Sequence, residues 1–172
     1  MYRSKFEAYP FLCDKTDDLR CDFEVLTDEI ASTTGHLRAL VNDAKIKDNL
    51  LFVTEIVYHI NACLRTPVSV TQKELGKLES MTKELSDDAG DVQKQFLLPV
   101  GDVAGSAAHI LRSKSKAAVR LLYRHVQAGN EAPDILFDFM NLLSNYFFLL
   151  ALKLNKLDGV DEIPFKSRNY EV

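Results

Sequence analysis

Glycine is absent from the first 34 residues of this 172-residue chain and occurs only seven times in all. A glycine-rich phosphate cradle cannot therefore be built near the N-terminus, because converging backbone N–H groups need positions without a Cβ. Neither a P-loop nor a dinucleotide fingerprint occurs elsewhere. Cysteine is scarce too: Cys13, Cys21 and Cys63 are odd in number, widely spaced and free of any C-x-x-C pair. Reduced thiols in a cytoplasmic protein are the expectation. His36, His59, His109 and His125 stand apart, with no H-E-x-x-H and no Cys/His spacing suited to zinc, so no metal site is expected. Surface or hydrogen-bonded core histidines are the simpler reading. Nucleophilic catalysis has no signature, since G-x-S-x-G and a Cys beside a His are both missing.

No secretory h-region follows Met1. The longest apolar run, near the end, is interrupted by Asn141, Ser144 and Asn145 and reads as a buried helix rather than a membrane span. The net charge of −4 argues against nucleic acid as a partner. No strand alternation, internal repeat or low-complexity tract is present.

Helical periodicity fills the remainder. A helix is expected from Arg20, with acids in its first turns and a seam of Leu26, Ile30, Leu37 and Val41. Asp28 lies about 200° round from Leu26 and so points away from that seam. A second helix is predicted over 47–65, with Leu51, Val53, Ile56, Val57, Ile60 and Leu64 inward, ending before Pro67. Thr71 to Glu74 fits a capping box opening a third helix, which Asp87 to Gly90 stops. A fourth follows Gly101, and Asp134 is expected to cap a fifth that runs to about Asn155. The resulting expectation is an all-α bundle of four long helices plus a shorter one, over 20–156. Residues 1–19 read as an irregular segment and 157–172 as a tail.

Two features of this pattern suggest chemistry. On the fourth helix, Ala107, Ala108, Leu111, Ala118, Leu121 and Leu122 form an apolar stripe. Beside it run Arg112, Lys116, Arg120 and Arg124, each four residues after the last. Such pairs repel, and the only acid between Gly101 and Gly129 is Asp102. The offsetting negative charge must come from another element, another subunit or a phosphate ligand. On the last helix, Asp138, Asn141 and Asn145 make a polar line that either bonds between helices or meets a ligand.

These residues also resemble the PduO-type ATP:cob(I)alamin adenosyltransferases, which are trimers of five-helix bundles. Phe96-Leu97-Leu98-Pro99 resembles that family's F-[IVL]-L-P, and His109-Ile110-Leu111-Arg112 its H-x-x-R at the same offset. Arg20 and the run Thr27 to Ser32 are similar to R-x-E-x-x-G-x-x-D-E-L-N-S, and Asn141 to Asn145 resembles N-R-L-S-D. The resemblance implies a homotrimer acting on ATP with Mg²⁺ and on cobalamin, with a flavoprotein reductase as a possible electron source. It implies that Asp28 pairs with Arg112 across a subunit interface, and that Arg112, Lys116, Arg120 and Arg20 face ATP with support from Asn141. Phe96 would displace the lower ligand of the corrinoid, leaving a four-coordinate cobalt that is easier to reduce. The family's N-terminal loop T-x-x-G-D-x-G-x-[ST] has no counterpart here. Ala117, Val119, Leu142 and Asn145 replace charged residues of its motifs. The alternative is a non-catalytic homologue that binds a corrinoid, nucleotide or protein through the same cleft.

Overall fold

A computed structural model of the chain describes residues 2–169; Met1 and the last three residues of the expected tail lie outside them. Five helices follow one another: α1 (Leu19–Leu40), α2 (Ala44–Asn61), α3 (Gln72–Ala89), α4 (Val103–Gln127) and α5 (Asp134–Leu157). A short 3-10 turn, Gly90–Lys94, follows α3. The lengths run from 18 residues in α2 and α3 to 25 in α4. The five-helix bundle expected from periodicity is therefore present.

Start signals are local and mostly legible. Asp18 caps α1 by accepting from Arg20 N, and Asp43 caps α2 by accepting from Ile46 N at 2.8 Å. Thr71 and Glu74 form the reciprocal capping box of α3. Two boundaries differ from expectation. The second helix begins three residues earlier and ends at Asn61, after which a turn carries the chain to Thr66. Asp134 is the first residue of α5 rather than its cap; Pro133 holds the cap position with no side-chain bond.

The helices pack in the order α2, α1, α4, α5, α3. The core takes Phe23, Ile30 and Leu37 from α1, Val57 and Ile60 from α2, and the whole expected stripe of α4. Three alanines in that stripe let α5 approach closely with Phe139, Leu143, Phe147 and Leu150. Leu51 is the exception among the expected inward residues, being 48% exposed. Its neighbour Leu50, about 100° round the helix, is fully buried and takes the inward direction at that turn.

Helix α5 is 24 residues long and, contrary to the sequence expectation, long and apolar enough to cross a membrane by length and composition. In this bundle 61% of that apolar window is buried against protein. The segment expected as a tail turns back instead of leaving the bundle. Leu98 N donates to Ile163 O at 2.9 Å and Phe165 N to Phe96 O at 2.7 Å, making a one-rung antiparallel bridge between Leu97 and Pro164.

Candidate functional site

The row of cations on α4 is as uncompensated in space as it is in sequence. Asp102 is consumed as the α4 N-cap, accepting from Gly105 N at 2.7 Å and Ala104 N at 3.0 Å. Lys114, beside the row, pairs with Glu29 of α1. Among the described residues, no ion pair involves Arg112, Lys116, Arg120 or Arg124.

Arg112 and Lys116 face a cleft of about 250 Å³ between α4, α5 and the extended stretch before α4. Its other walls are Gln95, Phe96, Leu97, Ser144, Asn145 and Phe148. The F-L-L-P stretch and the H-x-x-R helix thus converge. Phe96 is 75% exposed, so its ring is open to whatever enters the cleft. Asn145 and Phe148 also border a second cleft of about 790 Å³ between α3 and α5. The two spaces are neighbours, and together they are large enough for an extended planar ligand.

The polar line on α5 lies outside the bundle. Asp138, Asn141 and Asn145 are all exposed, so they do not bond between helices; Asn141 Nδ2 donates only to Phe137 O of its own helix, at 2.9 Å. Of this line, Asn145 reaches the Arg112 cleft, whereas Asn141 sits one turn away. Arg120 is exposed two turns beyond Arg112 on the same stripe, roughly 12 Å along the axis.

Like Arg120 and Asn141, two further expected site residues, Arg20 and Asp28, do not line this cleft within one chain. Arg20 lies at the start of α1, where its guanidinium holds Asp18 at 2.5 Å and keeps that carboxyl well below the usual carboxylate range. It lines a separate cleft with His125 and Asn130, roughly 20 Å along α4 from Arg112. Asp28 is on the far flank. It is exposed on α1 and accepts from Tyr58 Oη of α2 at 2.9 Å, while Arg112 leans over the Phe148 ring of α5 at 5.8 Å. With α1 and α4 between those neighbours, Asp28 and Arg112 cannot meet inside one bundle.

Phe148 was not expected at the site from the sequence, and His109 entered only as part of H-x-x-R, without a role of its own. Phe148 is three residues from Asn145 on the exposed side of α5, so its spacing carried the signal. The His109 ring lies 6.4 Å from that of Phe148, and His109 is a buried residue whose two nitrogens have no hydrogen-bond partner. A surface or hydrogen-bonded core histidine was expected there; this one is buried with neither nitrogen bonded to a protein group. Burial, and then the neighbouring charge of Arg112, push its pKa down to about 4. An unfolded imidazole takes its proton near the usual 6.5. The stability held by the neutral ring is therefore complete above about pH 6.5 and lost as pH falls through about 4. Urea unfolding is expected to lose on the order of 3 kcal/mol between pH 7 and 4 through this group. His109→Phe should remove that part of the pH dependence; an identical slope in the variant would refute the assignment.

Comparison with known proteins places this geometry. The family model described as cobalamin adenosyltransferase matches residues 13–154. A corrinoid adenosyltransferase of Bacillus subtilis (strain 168) is 26% identical over 102 residues, covering 59% of this chain and 52% of that protein. The chain thus spans about half the length of that curated relative. Among solved structures, a variant PduO-type ATP:corrinoid adenosyltransferase from Lactobacillus reuteri complexed with cobalamin and ATP superposes with a TM-score of 0.80. It is 22% identical and the match covers 87% of each chain. Another variant of that enzyme, complexed with ATP, gives a TM-score of 0.79 at 24% identity, over 87% of this chain and 88% of the other. At such identities the likeness establishes a shared fold.

Proposed function

The chain belongs to the cobalamin adenosyltransferase family, and on that premise we propose that it transfers the 5′-deoxyadenosyl group of ATP to the reduced cobalt of a corrinoid. The carrying observation is that Arg112 and Lys116, the start of the unpaired cation row of α4, open onto the same cleft as an exposed Phe96. In this reaction the cobalt lone pair attacks C5′ of ATP, a Co–C bond forms, and the C5′–O bond breaks with its electrons leaving on triphosphate. The charge that develops is anionic, so Arg112, Lys116 and Arg120 stabilise the leaving group where they already stand. Among the described residues no cluster of three His, Cys, Asp or Glu could hold a metal. In this reading Mg²⁺ comes with the triphosphate, as part of the substrate. Phe96 offers a bare aromatic face to the lower side of the corrinoid and keeps water and axial ligands off the cobalt.

The working unit in this reading is a homotrimer in the cytoplasm, supplied with electrons by a reductase of the flavoprotein kind. Asp28 of one copy meets Arg112 of the next. The opposite flanks on which they sit suit a head-to-tail interface, the type that closes into rings. Arg20 then reaches a nucleotide only from a neighbouring copy.

One observation favours a second reading, in which the cleft binds a corrinoid without turnover. The N-terminal stretch is fixed by Arg65, which bonds Asp14 at 2.5 Å and lies 3.9 Å from the Phe11 ring centre, and it forms no phosphate cradle. Calorimetry with Mg·ATP, followed by the absorbance change from reduced cobalamin to adenosylcobalamin, separates the two. Corrinoid binding with no adenosylated product selects the second.

Phe96→Ala tests the aromatic directly. Because the ring is mostly exposed, melting is expected to shift by no more than about 2 °C. Turnover is expected to drop at least about tenfold, equivalent to about 1.4 kcal/mol of barrier. A large loss of melting temperature with turnover intact would make Phe96 a packing residue.

A further inference from the structure

Asn155 is polar, 1% exposed and two residues from the end of α5, a helix largely committed to apolar packing. Its side-chain amide makes three hydrogen bonds. Oδ1 accepts from Asp102 N at 3.2 Å; Nδ2 donates to Val100 O at 3.2 Å and to Glu162 Oε1 at 2.8 Å. Its own carbonyl accepts from Val160 N at 2.9 Å. One residue thus joins three pieces of chain: the stretch entering α4, the end of α5 and the returning C-terminal segment. Close approach makes this possible. A Cβ built on Gly101 would stand 2.0 Å from Asn155 Oδ1, and one on Gly105 2.1 Å away. Two of the chain's seven glycines are spent on clearing this amide, and neither has a positive φ that would otherwise require glycine.

What hangs from the knot is Phe96. Between the 3-10 turn and α4 the chain is extended, and the residues at 96 and 98 are held by the bonds to Phe165 and Ile163 described above. The segment supplying those bonds is anchored through Glu162 and Val160, both on Asn155. We propose that Asn155 is a positioning residue for Phe96, acting at a distance by fixing the C-terminal segment against the stretch that carries the ring. The segment after α5 thereby becomes part of the site's scaffold. Its kinetic consequence rests on the adenosyl-transfer reading; its structural consequence does not.

The test uses the full chain with Asn155→Ala, the gentler Glu162→Ala, and Asn155→Asp alone and combined with Glu162→Gln. Amide hydrogen exchange is read over residues 95–102, 160–165 and α1, alongside kcat and KM for reduced cobalamin. Asn155→Ala and Glu162→Ala are expected to speed exchange at Leu98 and Phe165 at least tenfold, with α1 unchanged. The kcat should fall about as far as in Phe96→Ala, with KM for Mg·ATP within twofold. Asn155→Asp sets two carboxylates against each other and should behave like the alanine variant at neutral pH. Adding Glu162→Gln restores a donor–acceptor pair and should return much of the protection and kcat. Unchanged exchange over 95–102, or faster exchange spread equally into α1, would overturn the positioning role, as would a loosened segment with undiminished kcat. If Asn155→Ala does not fold, Glu162→Ala decides alone. If the unaltered chain yields no adenosylcobalamin, the transfer reading fails and the exchange results still decide this one.

Discussion

On the proposed function and the proposed trimer, Arg112→Ala is expected to lower kcat/KM by about 10²–10³ and to shift assembly toward monomer in sedimentation velocity. The first figure is the typical loss when one preorganised donor is taken from a developing anion. The second follows from the geometry of the free chain. Arg112 Nε is buried without a hydrogen-bond partner, and Asp28 faces α2 on the opposite flank. A guanidinium with such an orphaned atom is expensive unless its partner arrives from outside. Truncating one side of a buried interfacial charge pair costs about 2–5 kcal/mol, enough to dissociate a modest interface. Asp28→Ala should reproduce the assembly defect. Intact trimers in both variants, with kcat/KM within threefold of the unaltered chain, would remove the interfacial pairing.

Arg65→Ala should be strongly destabilising, on the scale of truncating a buried aromatic of the core. Arg65 is 13% exposed at its side chain and bonds Glu24 of α1 at 2.6 Å and Asp14 of the N-terminal segment at 2.5 Å. Glu24 is 3% exposed, and its second oxygen has no partner. Removing the cation strands a buried carboxylate, which costs about 3–5 kcal/mol. For a chain of this size that lowers the melting temperature by about 10 °C. The N-terminal segment should also become protease-sensitive, because the cation under Phe11 is gone. Replacing both charges, Glu24→Gln with Arg65→Met, should recover a good part of the loss, since neutral groups leave no buried charge behind. If the double variant melts no higher than Arg65→Ala, packing rather than charge is the cause.

The sequence made the bundle legible because helical periodicity is a local property. The apolar stripe of α4, the outward direction of Asp28 and the capping box at Thr71 each follow from spacings of three to five residues. The unpaired cations were legible for a related reason: the absence of acids from a whole helix can be counted. What escaped were features made by distant partners. Asn141 and Asn145 read as buried because α5 is so apolar, yet the helix is open along one line and they lie on it. Leu51 was assigned inward on hydrophobicity alone, although Leu50 already filled that direction. Asn155 looks like an ordinary polar residue ending a helix, and nothing within ten residues on its N-terminal side announces three separate bonds. Arg65 likewise shows its importance only once Asp14, 51 residues away, is folded against it. The Arg112 cleft lay between these extremes: its two motifs could be read one by one, whereas Phe148 between them emerged only from the packing.

The order of the helices leaves one seam unlike the rest. Helices α2 and α3 touch little, and what crosses between them is polar: Lys45 to Glu84 at 2.7 Å, and the Lys77 ammonium 3.7 Å from the centre of the Phe52 ring. Exposed contacts of this kind are worth about 1 kcal/mol or less apiece. Helix α4, by contrast, packs on both α1 and α5 chiefly through buried apolar side chains. The α2–α3 seam is thus the weakest closure of the bundle, and amide exchange is expected to be faster in α3 than in α4, which is braced by both α1 and α5.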